Sequence, residues 1–544
     1  MKKNIVFALL VALLAIGQNP SAQARDWVTP NAMVHSEQLY VIGATSQPRP
    51  GSWIYLSQLT KPPISTNRPC FTGTGYLDSS GKKTTSENGL YNYCGKEEIL
   101  REFSLKPSSV RANIQLEVCN PENQTFCIEE FTFEGPEKVK TSAQFDRYVS
   151  ETFFYNHKTP AIPELKIPRG GTPALWRAPG FKHQGGQETY LSDVRINIGW
   201  DPSGDINYSQ LTISLVPYSL TPLSSLPSYK KVRTGQSSNL YSAQGKECAG
   251  PVFVEGGTQY FETNLCPQQE DLVPDVRVGI VLRTPQGVGG WFQGRVGAPD
   301  IQITSINQDV KRISISGTPI TFPKAVAITK KGQSGWVRGG TFLFAEDSAG
   351  TATTDKALLS LKKSTGDRAS GQVTEWAIKA VGATSWCSSD PSLIAGIVTS
   401  NALAYQGSPI TWNGKFLQFL LGGLHLNSDG SVMKGNLDVA INSQIARCLY
   451  QISDLPIEAQ VQVSYPDGQA INVATQTVKE DVANGFIYLN AKNFTFSNPV
   501  VQIYLKNAGT STPPKLQTIV CKKGKVQKNV TSVNPKCPTG FSKG

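Results

Sequence analysis

Ten cysteines fall into five near-neighbour pairs along the 544 residues: Cys70 with Cys94, Cys119 with Cys127, Cys248 with Cys266, Cys387 with Cys448, and Cys521 with Cys537. An even count in local pairs reads as a disulfide framework on an exported chain, each domain oxidising within itself as it emerges. Sequence does not fix connectivity, and sequential pairing is the simplest expectation. A zinc site is a poor alternative: there is no CxxC, and the four histidines (His35, His157, His183, His425) are scattered. Each bridge would stabilise its unit by roughly 2–4 kcal/mol, mainly by restricting the unfolded chain.

The expected export route is a secretory leader over residues 1–24. Lys2 and Lys3 form a charged start, Ile5 to Ile16 an apolar stretch, and Ala22-Gln23-Ala24 a small-x-small cleavage site. The apolar run is too short to span a bilayer, which takes about twenty residues. No other stretch reaches that length, so no transmembrane segment is expected in the mature chain.

The remainder reads as mainly β: several β-sandwich or immunoglobulin-like modules with one or two short helices, stapled by disulfides. Glycine (49) and proline (35) punctuate short alternating runs, and only 17% of residues are charged. The expected divisions are β domains at 25–159 and 160–310, a β-rich domain at 311–450, a small β unit at 451–506, a linker at 507–514 and a tail at 515–544. Within the first, Ala112 to Val118 and Cys127 to Phe133 read as a hairpin stapled by Cys119 and Cys127. Phe145, Tyr148, Val149 and Phe153 fall at helical spacing within Lys140 to His157. Asp390 and Pro391 make a helix start, with an apolar stripe through Leu393, Ile394, Ile397 and Val398, so a helix is expected near 391–405. Trp412 to Leu426 reads as a buried strand or strand pair. Asp193 to Gly199 and Leu211 to Val216 alternate around an Asp201-Pro-Ser-Gly-Asp205 turn. Ile206 stands where a calcium loop of that spacing needs glycine.

The tail is chemically distinct. Lys515 to Gly544 holds seven lysines and no acid. The chain carries +11 overall, of which the tail supplies seven charges and the leader two, so residues 25–514 are near neutral. The basic character is therefore local, and a nucleic-acid-binding body is not indicated. Thr518 to Lys522 and Val526 to Val533 read as strands joined by a turn at 522–525, closed by Cys521 and Cys537. Lys522, Lys523, Lys525 and Lys528 are the candidate contacts to an anionic envelope polymer or glycan.

The tail's Cys521, Lys523, Gly524, Lys525, Val530, Thr531, Asn534, Pro535, Lys536, Cys537, Pro538, Gly540 and Lys543 resemble the basic two-cysteine tail that ends many exported actinobacterial proteins. Phe541 stands where a tyrosine is expected. The resemblance covers about 25 of the 544 residues and implies an exported or surface protein. It says nothing about the body.

Catalytic motifs are sparse. There is no GxSxG, HExxH, P-loop or GxGxxG. Ser360 to Lys363 matches SxxK without its companion motifs. Glu129-Glu130 and Glu346-Asp347 are acidic neighbours of the kind that solvated turns carry. Trp291 with Arg295, and Trp336 with Arg338, sit among glycines. Such pairs can stack on sugars or anchor a partner, although tryptophans at such positions more often fill a β core. The expectation is an exported, non-catalytic surface or secreted binding protein, without cofactor or metal, held to the envelope by its tail. A secreted carbohydrate-binding or glycan-active protein is the alternative.

Overall fold

The computed structural model describes residues 96–105, 107–148, 161–222, 265–330, 352–381, 392–406, 411–452, 457–464, 470–473, 478–496, 500–507, 517–524, 526–532 and 541–544, several short strands elsewhere, and isolated positions including 387, 390 and 537. Within them the chain is mainly β, with short helices at Lys96–Leu105, Ala352–Thr365 and Ser443–Tyr450. No described helix is long and apolar enough to cross a membrane.

Strand pairing builds a wide central sheet. Arg111–Gln115 and Ala174–Arg177 lie end to end along one side of Thr189–Trp200. Ile206–Pro222 follows, then Gly371–Val381 and Gly290–Gly294. Ile394–Ser400 joins in parallel, and Lys434–Asn442, Phe486–Thr495 and Val478–Asp481 complete the sheet. The one parallel contact of this series places two strands a hundred residues apart side by side.

A second sheet runs Lys140–Ser142, Cys127–Glu134, Arg277–Pro285, Val310–Lys324, Val296–Ser305. Its long strand Val310–Lys324 ends by pairing with Gly371–Val381, which joins it to the central sheet. The two sheets enclose one core: Ile114, Ile196, Ile198, Ile213 and Trp376 on one side meet Phe131, Phe133, Ile280, Leu282 and Ile315 on the other. These residues recur at every second position, as a strand with one face in a core requires.

A third layer, built on Leu417–Gly422, Val500–Asn507 and Ile457–Ser464, covers the opposite face of the central sheet at its Ile394–Ser400 end. Phe419, Leu421, Val501 and Ile503 there pack on Val398, Leu437, Val439 and Leu489. Within this layer, Ile457–Ser464 pairs with Ala470–Val473. These pairings cross the compositional divisions at 159, 310 and 450: Cys127–Glu134 with Arg277–Pro285, Ile206–Pro222 with Gly371–Val381, and Lys434–Asn442 with Phe486–Thr495.

Three local expectations are corrected. The segment near 391–405 is not a helix: Ile394–Ser400 is a strand buried at every position. Its β-branched run lies between two cores, Ile397 facing one and Val398 the other, and a strand fits that two-sided burial. Asp390 caps only a turn, accepting from the Ser392 amide at 2.8 Å. Lys140 to Tyr148 is also extended, as Lys140–Ser142 and Gln144–Tyr148, the latter paired with Ala174–Arg177; residues 149–160 lie outside the described set. The Cys119–Cys127 staple is formed, but its flanking strands are not hairpin partners. Arg111–Gln115 enters the central sheet and Cys127–Glu134 the second, so the bridge ties the corner where the chain changes layer.

Candidate functional site

The short strand Gly290–Gly294 organises the middle of the molecule, with all five residues buried. Trp291 packs into the core under the third layer, and its neighbour Phe292 into the core between the first two sheets. Gly294 permits the close approach of Gly371–Val381: a Cβ there would sit 2.0 Å from the Ala377 carbonyl oxygen.

Arg295 follows and is fully enclosed. Its guanidinium donates to the carbonyl oxygens of Ser400 and, at 3.3 Å, Leu403. It lies 4.4 Å from the Phe322 ring centre and 5.5 Å from that of Tyr405. Tyr405 is fixed in turn by the Gly294 amide and carbonyl, each 2.8 Å from its hydroxyl. Trp291 and Arg295 thus join the layers, and neither offers a face to solvent. Trp336 and Arg338 lie outside the described residues.

The other sequence candidates are engaged locally. Glu129 accepts from Arg312 at 2.6 Å and Arg283 at 3.0 Å, and Glu130 accepts from the Ser142 hydroxyl. Glu346 and Asp347 are outside the described set. Ser360 is buried on the Ala352–Thr365 helix while Lys363 is exposed. The Asp201 carboxylate is taken by the amides of Ser203 and Asp205, both at 2.9 Å, and by the Ser203 hydroxyl. No group of three metal-ligating side chains occurs among the described residues.

The tail forms the expected strand pair. Gln517–Lys523 pairs with Val526–Ser532, and Gly524 takes a positive φ of 59° in the turn. A third short strand, Ser542–Lys543, lies on the other side of Gln517–Lys523. The Cys521–Cys537 bridge is formed, and Cys521 is wholly buried. A two-stranded piece is marginal in water; the bridge and the third strand supply closure. Lys522, Lys523 and Lys543 are exposed. Lys528 stands opposite Cys521 in register, and Lys525 lies outside the described residues. The Cys387–Cys448 bridge is also present. Cys70, Cys94 and Cys248, and the side chain of Cys266, are outside the described set.

Sequence reading missed a polar row across the central sheet. Gln115, Arg195, Thr212, Lys379 and Gln293 stand side by side on five successive strands. They face away from the first core, which takes their neighbours Ile114, Ile196, Ile213 and Ile378. Arg195 donates to Gln115 at 3.2 Å and grips Asp193 at 2.9 Å. Burial pushes the Asp193 carboxyl up to about 6, with Arg195 opposing the rise. Beside the row, the Ser214 hydroxyl is buried without a hydrogen-bond partner, as are the Gln115 Nε2, both polar atoms of the Gln293 amide, and the Trp291 Nε1. Each such group costs about 1–3 kcal/mol if it stays unpaired. Single residues in five strands leave no sequence motif; only the register brings them together.

No family model, curated protein or solved structure matches this chain.

Proposed function

We propose that this chain is an exported, non-catalytic binding and display protein, held on an anionic cell envelope by its basic tail. The observation that carries the reading is the tail's construction: a bridge-closed strand unit that holds Lys522, Lys523 and Lys543 in solvent. A folded cationic surface engages a polyanion with less loss of freedom than a flexible run of lysines. The near-neutral body leaves the tail as the main source of positive charge. The mainly β body, with Trp291 enclosed in it, supports a binding or structural role over a glycosidase cleft flanked by that tryptophan. The leader-like start, the bridges and the likeness to exported two-cysteine tails support export.

The test uses purified full chain and a form ending at Pro514, passed over immobilised polyglycerol phosphate. Full-length protein is expected to bind at low salt and to elute as salt rises, because exposed charge pairs are screened over about 10 Å at 0.1 M. Equal retention of both forms would overturn the reading.

A further inference from the structure

We infer that His183 is an acid-sensitive latch: uncharged, it holds the loop 178–188 over the end of the first core, and taking up a proton releases that loop. The inference goes beyond the binding and display reading and does not use the tail.

The geometry is that of one buried ring under an exposed loop. Residues 178–188 join Ala174–Arg177 to its sheet neighbour Thr189–Trp200. Lys182, Gln184, Gly185, Gly186 and Gln187 are exposed, while His183 among them is only 3% exposed. Its imidazole stands edge-on to the Tyr190 ring, 5.6 Å between centres. The loop closes on itself: the His183 amide donates to the Gln187 carbonyl at 3.0 Å, and the Gly186 amide to the His183 carbonyl at 2.8 Å. Phe181 rests on Phe133, 5.5 Å between ring centres, and its carbonyl accepts from the Tyr190 hydroxyl at 2.9 Å. Phe133 and Tyr190 belong to the first core. The loop thus covers two core aromatics and can open without parting the sheets.

One hydrogen bond sets the charge of the ring. The Gly185 amide donates to His183 Nδ1 at 3.0 Å. That nitrogen must offer a lone pair, so the ring is neutral and its hydrogen sits on Nε2. Nε2 is sealed from solvent beside the Tyr218 backbone. A second proton has only Nδ1 to occupy, where it would face the Gly185 N–H, two donors with no acceptor between them. There is little slack to relieve this: a Cβ on Gly185 would lie 2.9 Å from the ring Cε1, 2.6 Å from the Ser219 Oγ and 2.7 Å from the Glu270 Cγ.

The surroundings reinforce the neutral state. Burial pushes His183 below its ordinary 6.5, with Glu270 opposing the fall. Tyr190 and Tyr218 hold their protons through burial, with Arg147 opposing the effect at Tyr218, and carry no charge in acid. On the loop itself Lys182 is exposed, and Glu188 is engaged by the Gly180 amide and Arg177. Asp271 meets the loop through its carbonyl, which accepts from the Gln184 amide. In the open loop the ring meets water and titrates near 6.5. The open form therefore binds more protons than the closed one below that pH, and closure weakens as pH falls.

The experiment follows hydrogen exchange of the full chain between pH 7 and pH 5, corrected for the intrinsic rate, beside NMR of its nitrogen-15-labelled histidine rings. Protection of the amides in 178–188 is expected to fall about tenfold over this range, while amides of 191–198 in the next strand keep theirs. The His183 ring should be the Nε2–H tautomer at pH 7 and gain its proton as the loop opens. His183→Asn places an amide oxygen at the position of Nδ1 and takes no proton in this range, so its loop protection should stay flat. The inference is overturned if the parent loop is equally protected at both ends of the range, or if the ring gains its proton while the loop stays closed. It is also overturned if His183→Asn loses protection along the same pH course as the parent. The first two readouts use the parent alone and decide the matter whatever the variant does.

Discussion

Trp291 and Phe292 are consecutive residues that fill two different cores. Trp291 packs under the third layer and Phe292 between the first two sheets, so one short strand serves as the shared wall of both. Truncation on either side should therefore be costly. Trp291→Ala and Phe292→Ala are each expected to lose about 3–5 kcal/mol in urea unfolding, from lost burial and the cavity left behind. Gly294→Ala should be at least as damaging, because its Cβ would collide with the Ala377 backbone.

Arg295 is expected to act as a structural clamp. It donates to the Ser400 and Leu403 carbonyls between two aromatic rings. Arg295→Ala should destabilise by about 3–5 kcal/mol, the scale of two hydrogen bonds from a charged donor. Arg295→Lys keeps the charge but not the planar fork, so most of the loss should persist. Chemical denaturation of the two variants checks both points.

Lys311 supplies a pH prediction. Its ammonium is buried and donates to the Gln286 and Ser392 carbonyls at 2.8 and 2.6 Å. Burial pushes it down to about 8, with Asp390 opposing the fall, from 10.5 when free. Between those values the unfolded chain binds more protons than the folded one, so this group's contribution to stability rises as pH rises. The parent should gain stability relative to Lys311→Met between pH 7.5 and 10, by up to about 3 kcal/mol. A difference independent of pH would contradict this.

The bridges should rank by the loops they close. Cys387–Cys448 spans 61 residues and Cys119–Cys127 only 8. Replacing each pair by serines is expected to cost about 4 and about 2.5 kcal/mol respectively on the chain-entropy estimate. Melting of the two double variants tests the order.

Much of the fold was legible where one face of a strand meets a core. Asp193 to Gly199 and Leu211 to Val216 alternate visibly, and both are strands that share the Asp201 turn. The tail strands and its bridge were equally plain, because turn, spacing and charge agreed. Reading failed where both faces are buried. Ile394–Ser400 shows no alternation, and its apolar stripe fits a helix as well as a strand until the second core is known. The polar row was invisible for another reason: adjacent members lie between 17 and 167 residues apart in the chain, and only strand order makes them neighbours. Trp291 and Arg295 were legible as unusual residues among glycines, but their burial follows from layers the local sequence does not announce.

Lys522 and Lys523 should matter for retention and little for folding. Both are exposed, and surface substitutions away from special features usually shift stability by under about 0.5 kcal/mol. The double variant Lys522→Ala, Lys523→Ala should melt like the parent yet leave polyglycerol phosphate at distinctly lower salt.

The most direct test of tail anchoring is cell fractionation. The full chain and a form ending at Pro514, both with residues 1–24, are expressed in an actinobacterial host, and cells and medium are separated at low and high salt. The full chain is expected to stay with cells at low salt and leave at high salt, while the shortened form collects in the medium. Equal partition of the two forms at every salt concentration would contradict the account.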